Sequence, residues 1–412
     1  MNEATPMSRA VSQPTMRRHN LSLVLRTVRD VGAISRSELA ERLGLSGAAM
    51  TRIVNDLLEF DYLDETTQSA SAPGRPRVLL AIKASRRSVI AIDFRVDRIV
   101  VESVDFSGAT LYREQLPQLR PMPGLKVVAR LAEVINRVSR HVGLPVIGIG
   151  LSAPASYGSE KEKTLNSLYL DWEDIALTGM LQRELGLGWP PIVVEDVAQC
   201  AALANVTEFP QASGVRLAHI QIGIGAGIGL AGEAYGPLLN SARHAELGRI
   251  AHLPLAVDGP LCACGATGCL DSVAGFPALV RASAACNIPL SRDAGAMNAY
   301  CAALLERHHD GDSVATNAIV SVADWLGRAA AAVLNLCGPN KLTIGGYPLQ
   351  LGELYLETFL RTMSTYAPRA PEVFVTTRHG DNASVVGAAR LALRPIFDDP
   401  LGEVGGFIPP RG

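Results

Sequence analysis

His252-Leu-Pro-Leu-Ala-Val-Asp-Gly-Pro-Leu-Cys262-Ala-Cys264-Gly-Ala-Thr-Gly-Cys269 packs one imidazole and three thiols into a single short segment. Three sulfurs and one ring nitrogen make a closed tetrahedral ligand set. That is the pattern of structural rather than catalytic zinc, because no coordination position is left for a substrate. Gly265 and Gly268 let the backbone double back so that Cys264 and Cys269 can meet one ion. The competing reading, buried cysteines acting as small hydrophobes, suits the scattered Cys200, Cys286, Cys301 and Cys337 better than it suits a cluster. An odd total of 7 cysteines, with three in one loop, fits a metal-binding cytoplasmic protein and not a disulfide scaffold. Zinc bound by His252, Cys262, Cys264 and Cys269 is the expected cofactor.

Outward from this loop the texture is that of an α/β protein. Short β-branched runs at 89–93, 99–104, 146–151, 192–195, 217–224 and 342–344 are separated by helical stretches at 125–142, 198–208 and 313–336. A further helix is expected over 384–393, with a loose Gly- and Pro-rich tail beyond Pro395. The 412 residues, 48% hydrophobic and 19% charged, are ample for two or three folded domains and too apolar for wholesale disorder. No run reaches the ~18 uncharged apolar residues of a membrane helix. The nearest, Leu217 to Gly232, contains His219 and Gln221. Residues 1–18 are polar, carry Pro6 and Pro14, and lack the apolar core of a secretory signal, so they read as a flexible tail.

Residues 19–83 have a different pattern. Leu21, Val24, Leu25 and Val28 recur at helical spacing. Ser35 stands three residues before Glu38, a capping box that opens a helix over Arg36–Leu43. After a Gly44-Leu45 turn, Ser46 caps a third helix that reaches about Glu59, and Asp61, a type that tolerates the left-handed conformation, releases the chain. Tyr62–Asp64 and Val78–Ile82 read as two strands joined by a polar loop, Thr66–Pro76. Three helices and a ribbon make a winged helix-turn-helix, whose third helix fits a DNA major groove. Its leading face offers Ser46, Ala49, Thr51, Arg52 and Asn55. Arg52 can bond bidentately to guanine or to phosphate, Arg36 would face the DNA backbone, and Arg75 and Arg77 form a basic wing tip suited to a minor groove. The plainer alternative is a helical interaction domain with solvated arginines. A net charge of -2 excludes a whole-chain polycation. Residues 1–83 hold 11 basic and 9 acidic residues, so any affinity for double-stranded DNA must come from a local patch.

The chain from about Arg87 to Leu393 resembles the ROK family (repressors, open reading frames, kinases). The zinc residues match the family's in order and spacing. Gly148-Ile-Gly150-Leu-Ser-Ala-Pro154 resembles its strand-and-turn motif, Gly223-Ile-Gly225-Ala-Gly227 its glycine-rich phosphate segment, and Ile344-Gly345-Gly346 and Val386-Gly387-Ala388-Ala389 its C-terminal signatures. The winged helix is similar to that of the family's repressor branch, which answers N-acetylglucosamine or xylose. The resemblance implies an actin-like two-lobed sugar-kinase fold, with a small lobe at 84–198 plus 382–398. It also implies a large lobe at 199–381 carrying the zinc loop and a dimerisation surface, in a homodimer or homotetramer.

The same comparison predicts that catalysis is lost. The family's kinases place an Asp-x-Gly-Gly-Thr turn against ATP phosphates, where this chain has Asp93-Phe94-Arg95-Val96-Asp97. Ile224 replaces the threonine of Gly-Thr-Gly, and Val197 falls at the position of the catalytic aspartate, with Asp196 one residue away. Valine accepts no proton from a sugar hydroxyl. In the sugar site Tyr169 stands for the family's asparagine, Arg249 for a glutamate and Asp271 for another glutamate, while His252 is kept. Two readings of that drift stand: relaxed selection, or a pocket rebuilt so that Arg249 pairs with an anionic sugar derivative. The expected effector site is therefore Tyr169, Asp196, Arg249, His252 and Asp271. The expected function is a regulator of carbohydrate-related genes, non-enzymatic, binding a palindromic operator and free of membranes. An ATP-dependent sugar kinase and a ligand-blind DNA-binding scaffold are its rivals.

Overall fold

The computed structural model describes residues 13–68, 77–96, 98–117, 124–154, 156–157, 165–167, 172–209, 214–232, 248–290, 295–369, 371–374 and 378–402. Helices α1 (Gln13–Val31), α2 (Arg36–Leu43) and α3 (Gly47–Glu59) precede an antiparallel ribbon of β1 (Leu63–Gln68) and β2 (Arg77–Ile82). Local chemistry sets the boundaries. The Ser35 side chain accepts from the Glu38 amide, and the Glu38 carboxylate accepts from the Ser35 amide. Gly44 closes α2 at φ 63° and Asp61 turns the chain at φ 60°. Helix α1 begins six residues before the expected end of the tail, so 13–18 are helical and not tail. Pro14 falls in the first turn, where its missing N–H costs nothing, and Arg17 pairs with Asp56 of α3 at 2.9 Å.

The next sheet has the order β10-β6-β3-β4-β5. Its strands are β3 (Ser88–Phe94), β4 (Arg98–Asp105), β5 (Thr110–Pro117), β6 (Val146–Ala153) and β10 (Ile192–Asp196). β10, β6 and β3 run parallel, and β4 and β5 return antiparallel. β7 (Ser156–Tyr157), β8 (Leu165–Ser167) and β9 (Trp172–Ile175) form a small separate sheet. The side-chain alternation of β3 divides two cores. Ile90, Ile92 and Phe94 face α4 (Gly124–Val142) and α5 (Leu177–Leu185), while Val89 and Ala91 join a cluster with the C-terminal helix and the N-terminal module.

A second sheet, β12-β11-β13-β14, comprises β11 (Leu217–Ile222), β12 (Ala226–Ala231), β13 (Lys341–Gly346) and β14 (Glu372–Phe374). The strand expected over 217–224 ends at Ile222, because Gly223 and Gly225 close a tight turn with a 2.7 Å backbone bond, and β12 returns antiparallel beyond it. Helix α6 (Val197–Asn205) lies on this sheet. Beyond it come α7 (Leu270–Ala274), α8 (Phe276–Ala282), α9 (Ala296–His309), α10 (Ser313–Cys337) and α11 (Gly352–Tyr366). α10 is long and apolar enough to cross a bilayer, yet it carries the Asp324–Arg328 ion pair and buries a face in this core.

Helix α12 (Ala383–Asp398) packs on the first sheet and against α6, so α6 and α12 together are the layer between the sheets. Glycines bring the backbones into contact: a Cβ at Gly150 would lie 1.9 Å from the Ala388 carbonyl oxygen, and one at Gly387 1.7 Å from that of Cys200. α12 continues through Pro395 to Asp398, where a loose tail was expected. Burial of Ile396 and Phe397 under α1 outweighs the local propensity.

Candidate functional site

Ser46 sits at the N-cap of α3, accepting from the Ala49 amide at 3.3 Å, and Thr51, Arg52 and Asn55 are exposed on one side of that helix while Met50, Ile53, Val54 and Leu57 are buried. Arg36 is not free beside them. Its guanidinium donates to Glu65 at 2.6 Å and to Asn55 Oδ1 at 3.3 Å, which ties α2, α3 and the ribbon together. Arg77 is exposed, 3.6 Å from Glu38. Arg75 lies outside the described residues, as do Tyr169 and the side chain of Arg249, whose backbone belongs to the short 3-10 helix Gly248–His252. The pairings of Glu65 with Arg36 and of the capping residue Glu38 with Arg77 carry no local sequence signal, because they form only once the ribbon folds over α2.

Four ligand atoms converge at the end of that 3-10 helix. Cys262 Sγ is 3.6 Å from His252 Nδ1, Cys264 Sγ is 3.7 Å from Cys269 Sγ, and all four lie within 4.8 Å of one another. A tetrahedron with metal–sulfur bonds of about 2.3 Å has sulfur–sulfur edges of about 3.8 Å, so the set fits a zinc-sized ion. Gly268 makes the crossing possible: φ is 69° and a Cβ there would meet the Ala256 carbonyl oxygen at 1.7 Å. A backbone hydrogen bond from Ala266 lowers the Cys264 pKa, whereas burial pushes the Cys269 thiol up to about 12. A bound cation would favour the thiolate form of the three cysteines.

The glycine-rich segment at the start of β12 gathers two carboxylates. Asp196 caps α6, its Oδ1 accepting from the Ala198 amide at 2.8 Å, and the same oxygen lies 3.2 Å from where a Cβ on Gly227 would stand. Asp271 reaches this segment from the zinc loop, its Oδ1 accepting from the Ala226 amide at 2.6 Å. Burial raises Asp196 to about 6, Glu195 to about 7 and Asp271 to about 7. The structure therefore brings Asp196 and Asp271 to neighbouring residues of one turn and connects His252 to it through α7. Val197 is the first residue of α6.

The turn after β3 is filled by side chains. Phe94 is wholly buried, its ring 5.2 Å from that of Trp172. Arg95 Nε donates to the buried Asp93 at 2.6 Å, and its NH2 donates to the Asp381 carbonyl at 2.7 Å and to Ser384 Oγ at 2.9 Å. Asp93 is a near neighbour of Arg95, but Asp381 and Ser384 lie almost three hundred residues away, out of reach of any local reading.

The ROK family model matches residues 89–394. The chain belongs to the ROK family. It is similar to the xylose repressor of Caldicellulosiruptor bescii, 26% identical over 353 residues that cover 82% of this chain and 85% of that protein. Its fold matches the crystal structure of a ROK family transcriptional regulator, a homologue of the Escherichia coli MLC protein, with TM-score 0.72 and 22% identity over 93% of this chain and 97% of that one. The ROK hexokinase from Thermus thermophilus (TM-score 0.60, 24% identity) is covered over 99% of its length, but covers 76% of this chain. The ROK regulator thus extends over ground that the ROK hexokinase lacks, in keeping with an N-terminal module added to a shared two-lobed body.

Proposed function

We propose that this ROK protein is a transcriptional repressor of carbohydrate-related genes whose sugar-kinase body serves as effector-binding and oligomerisation domain. The observation that carries the reading is a three-helix module with a ribbon, seated on a kinase-like body in the arrangement of a regulator and not of a ROK hexokinase. Ser46, Ala49, Thr51, Arg52 and Asn55 read the major groove of a palindromic operator; Arg75 and Arg77 enter a minor groove; Arg36 braces Asn55 and reaches phosphate only by leaving Glu65. The proposed domain borders are 13–83 for the module, since α1 starts at Gln13, 84–198 with 382–398 for the small lobe and 199–381 for the large lobe.

The body does not phosphorylate. Phosphoryl transfer needs close backbone approach to phosphates and a base. Arg95 is spent on Asp93, Asp381 and Ser384, Asp196 is spent on capping α6, and Val197 offers no base. When bound, zinc would cross-link the loop through His252, Cys262, Cys264 and Cys269 and supply rigidity. Asp271 passes that rigidity to the glycine-rich turn. The effector, a sugar or an anionic sugar derivative, would enter beside Tyr169, Asp196, Arg249, His252 and Asp271 and must bind two conformations unequally to regulate. The protein acts in the cytoplasm as a dimer or tetramer.

The test is selection of host-genome fragments by purified zinc-loaded protein across a salt series, with and without host extract. Enrichment of a palindrome with a steep salt slope supports the repressor. Failure under both conditions, or ATP-dependent phosphorylation of a sugar, overturns it.

A further inference from the structure

We propose that Arg95 is a positioning residue that ties the end of β3 to the seat of the DNA-binding module, by clamping the first turn of α12 onto that strand. The inference rests on the repressor reading for its consequence, and on the structure alone for the clamp.

One guanidinium joins three segments. Besides its bonds to Asp381 and Ser384 at the start of α12, Arg95 holds Asp93, whose other carboxylate oxygen accepts from Ser152 Oγ of β6 at 3.1 Å. Asp93 is 1% exposed, so its charge is not answered by water. From Ser384 the helix runs thirteen residues to Phe397, about 20 Å at 1.5 Å per residue. It cannot slide independently of what lies beneath it. The carbonyl oxygens of Ala388 and Ala392 sit where a Cβ on Gly150 or Gly148 would be, at 1.9 and 2.7 Å, and that of Cys200 sits against Gly387 at 1.7 Å. A helix seated backbone to backbone moves as a rod, so a shift at Ser384 arrives at Phe397.

The far end of this rod carries α1. The Phe397 carbonyl accepts from Ser22 Oγ at 2.6 Å and from Arg26 Nε at 3.4 Å, Asp398 pairs with Arg26, and the Arg29 guanidinium lies 4.5 Å over the Phe397 ring. These contacts tolerate displacements of a few tenths of an ångström. At the near end, α6 lies against α12 and is capped by Asp196 beside the glycine-rich segment. A ligand that moves α6 therefore pushes on α12. Arg98 holds the Asp381 carboxylate at 3.1 Å and Arg113 holds Asn382 Oδ1 at 2.9 Å, while Arg95 bonds Ser384 in the helix itself, so Arg95 governs how far the first turn yields. The alternative role for Arg95 is neutralisation of Asp93 alone.

Hydrogen–deuterium exchange of the full-length, zinc-loaded protein separates the two. The variants are Arg95→Gln, Arg95→Lys, and the double variant Asp93→Asn/Arg95→Gln, which removes the clamp and the buried charge together so that folding is spared. Under the proposal, exchange in 383–390 and in 20–30 rises roughly tenfold or more in both Arg95→Gln and the double variant, since charge-assisted hydrogen bonds are lost. Arg95→Lys, which keeps a cation beside Asp93 without the fork, falls between. Wild-type protection of α12 and α1 in the double variant overturns the clamp. Raised exchange with unchanged operator affinity overturns the coupling. Absence of operator binding by the wild-type chain counts against the repressor reading only, and the exchange pattern still decides the clamp.

Discussion

Replacing Phe397 with alanine should loosen the DNA-binding module from the body before either part unfolds. The side chain is 1% exposed, its ring stacks on Phe106 with centroids 5.0 Å apart and planes 12° from parallel, and Arg29 lies over it. Phe→Ala in a well-packed core costs about 3–5 kcal/mol. The ring pair and the cation above it make up about 1–2 kcal/mol of such a loss. Phe397 is in the last turn of α12, where the chain can partly close the gap, so the lower figure of about 3 kcal/mol is expected. The three tryptophans, Trp172, Trp189 and Trp325, all belong to the body. Urea unfolding followed by tryptophan fluorescence therefore reports the body, and far-ultraviolet circular dichroism reports the whole chain. Wild-type transitions should coincide; in Phe397→Ala the dichroism should move to lower urea and separate from the fluorescence. Coincident transitions with a loss below about 1 kcal/mol would refute the seam as the anchor of α1.

Other outcomes follow from the same geometry. Gly387→Ala drives a Cβ into the Cys200 carbonyl, 1.7 Å away, and should cost about 1–3 kcal/mol or more in thermal or chemical denaturation. Chelation should remove a stoichiometric zinc and open the segment around the exposed Val257 and Leu261 to proteolysis, which a metal analysis and a limited digest would record. In operator titrations Arg52→Ala should relax sequence preference, whereas Arg75→Ala should weaken binding on all sequences and lower the salt slope by about one. Folding raises the Asp196 pKa from 3.8 to about 6, so the stabilisation from its bound proton is full below about pH 4 and is lost as pH rises through 6. Asp196→Asn, which keeps the helix cap, should flatten that fall and raise stability at pH 8 by up to about 2–3 kcal/mol. Equal melting-temperature differences between variant and wild type at pH 5 and pH 8 would contradict the assignment.

Much of this architecture was legible where a local rule governs it. Ser35 with Glu38, Ser46 with Ala49, and Asp61 at φ 60° are caps and turns that depend on neighbours within a few residues, and the structure has them where the pattern placed them. The zinc-loop residues were equally plain, since ligand type and glycine spacing carry the signal. What eluded the sequence were contacts made by distant segments. Pro395 and the glycines after it suggested a loose end, because nothing local announces that Phe397 meets Ser22 and Phe106. Arg36 was read as exposed to DNA, because its partner Glu65 is on a strand that pairs only in the folded ribbon. Helices α5, α9 and α11 have no side-chain hydrogen bond at their N-caps, so no local signal marks where they start. Asp196, judged by its one-residue offset, turned out to face the glycine-rich segment through its role as a cap.

The contact between Ser22 and Phe397 spans 375 residues. At a synthesis rate of roughly 5–20 residues per second, α1 leaves the ribosome about 20–75 seconds before its seat exists. During that interval the module has its own core of Leu21, Val24, Leu25, Met50, Val54 and Leu57 but no body to orient it. A message cut short between codons 83 and 397 yields a chain that has the N-terminal module but lacks the Phe397 seat of α1. Such fragments would lack the body on which the proposed effector acts, so under the proposed function completion of the chain is a condition of regulated binding.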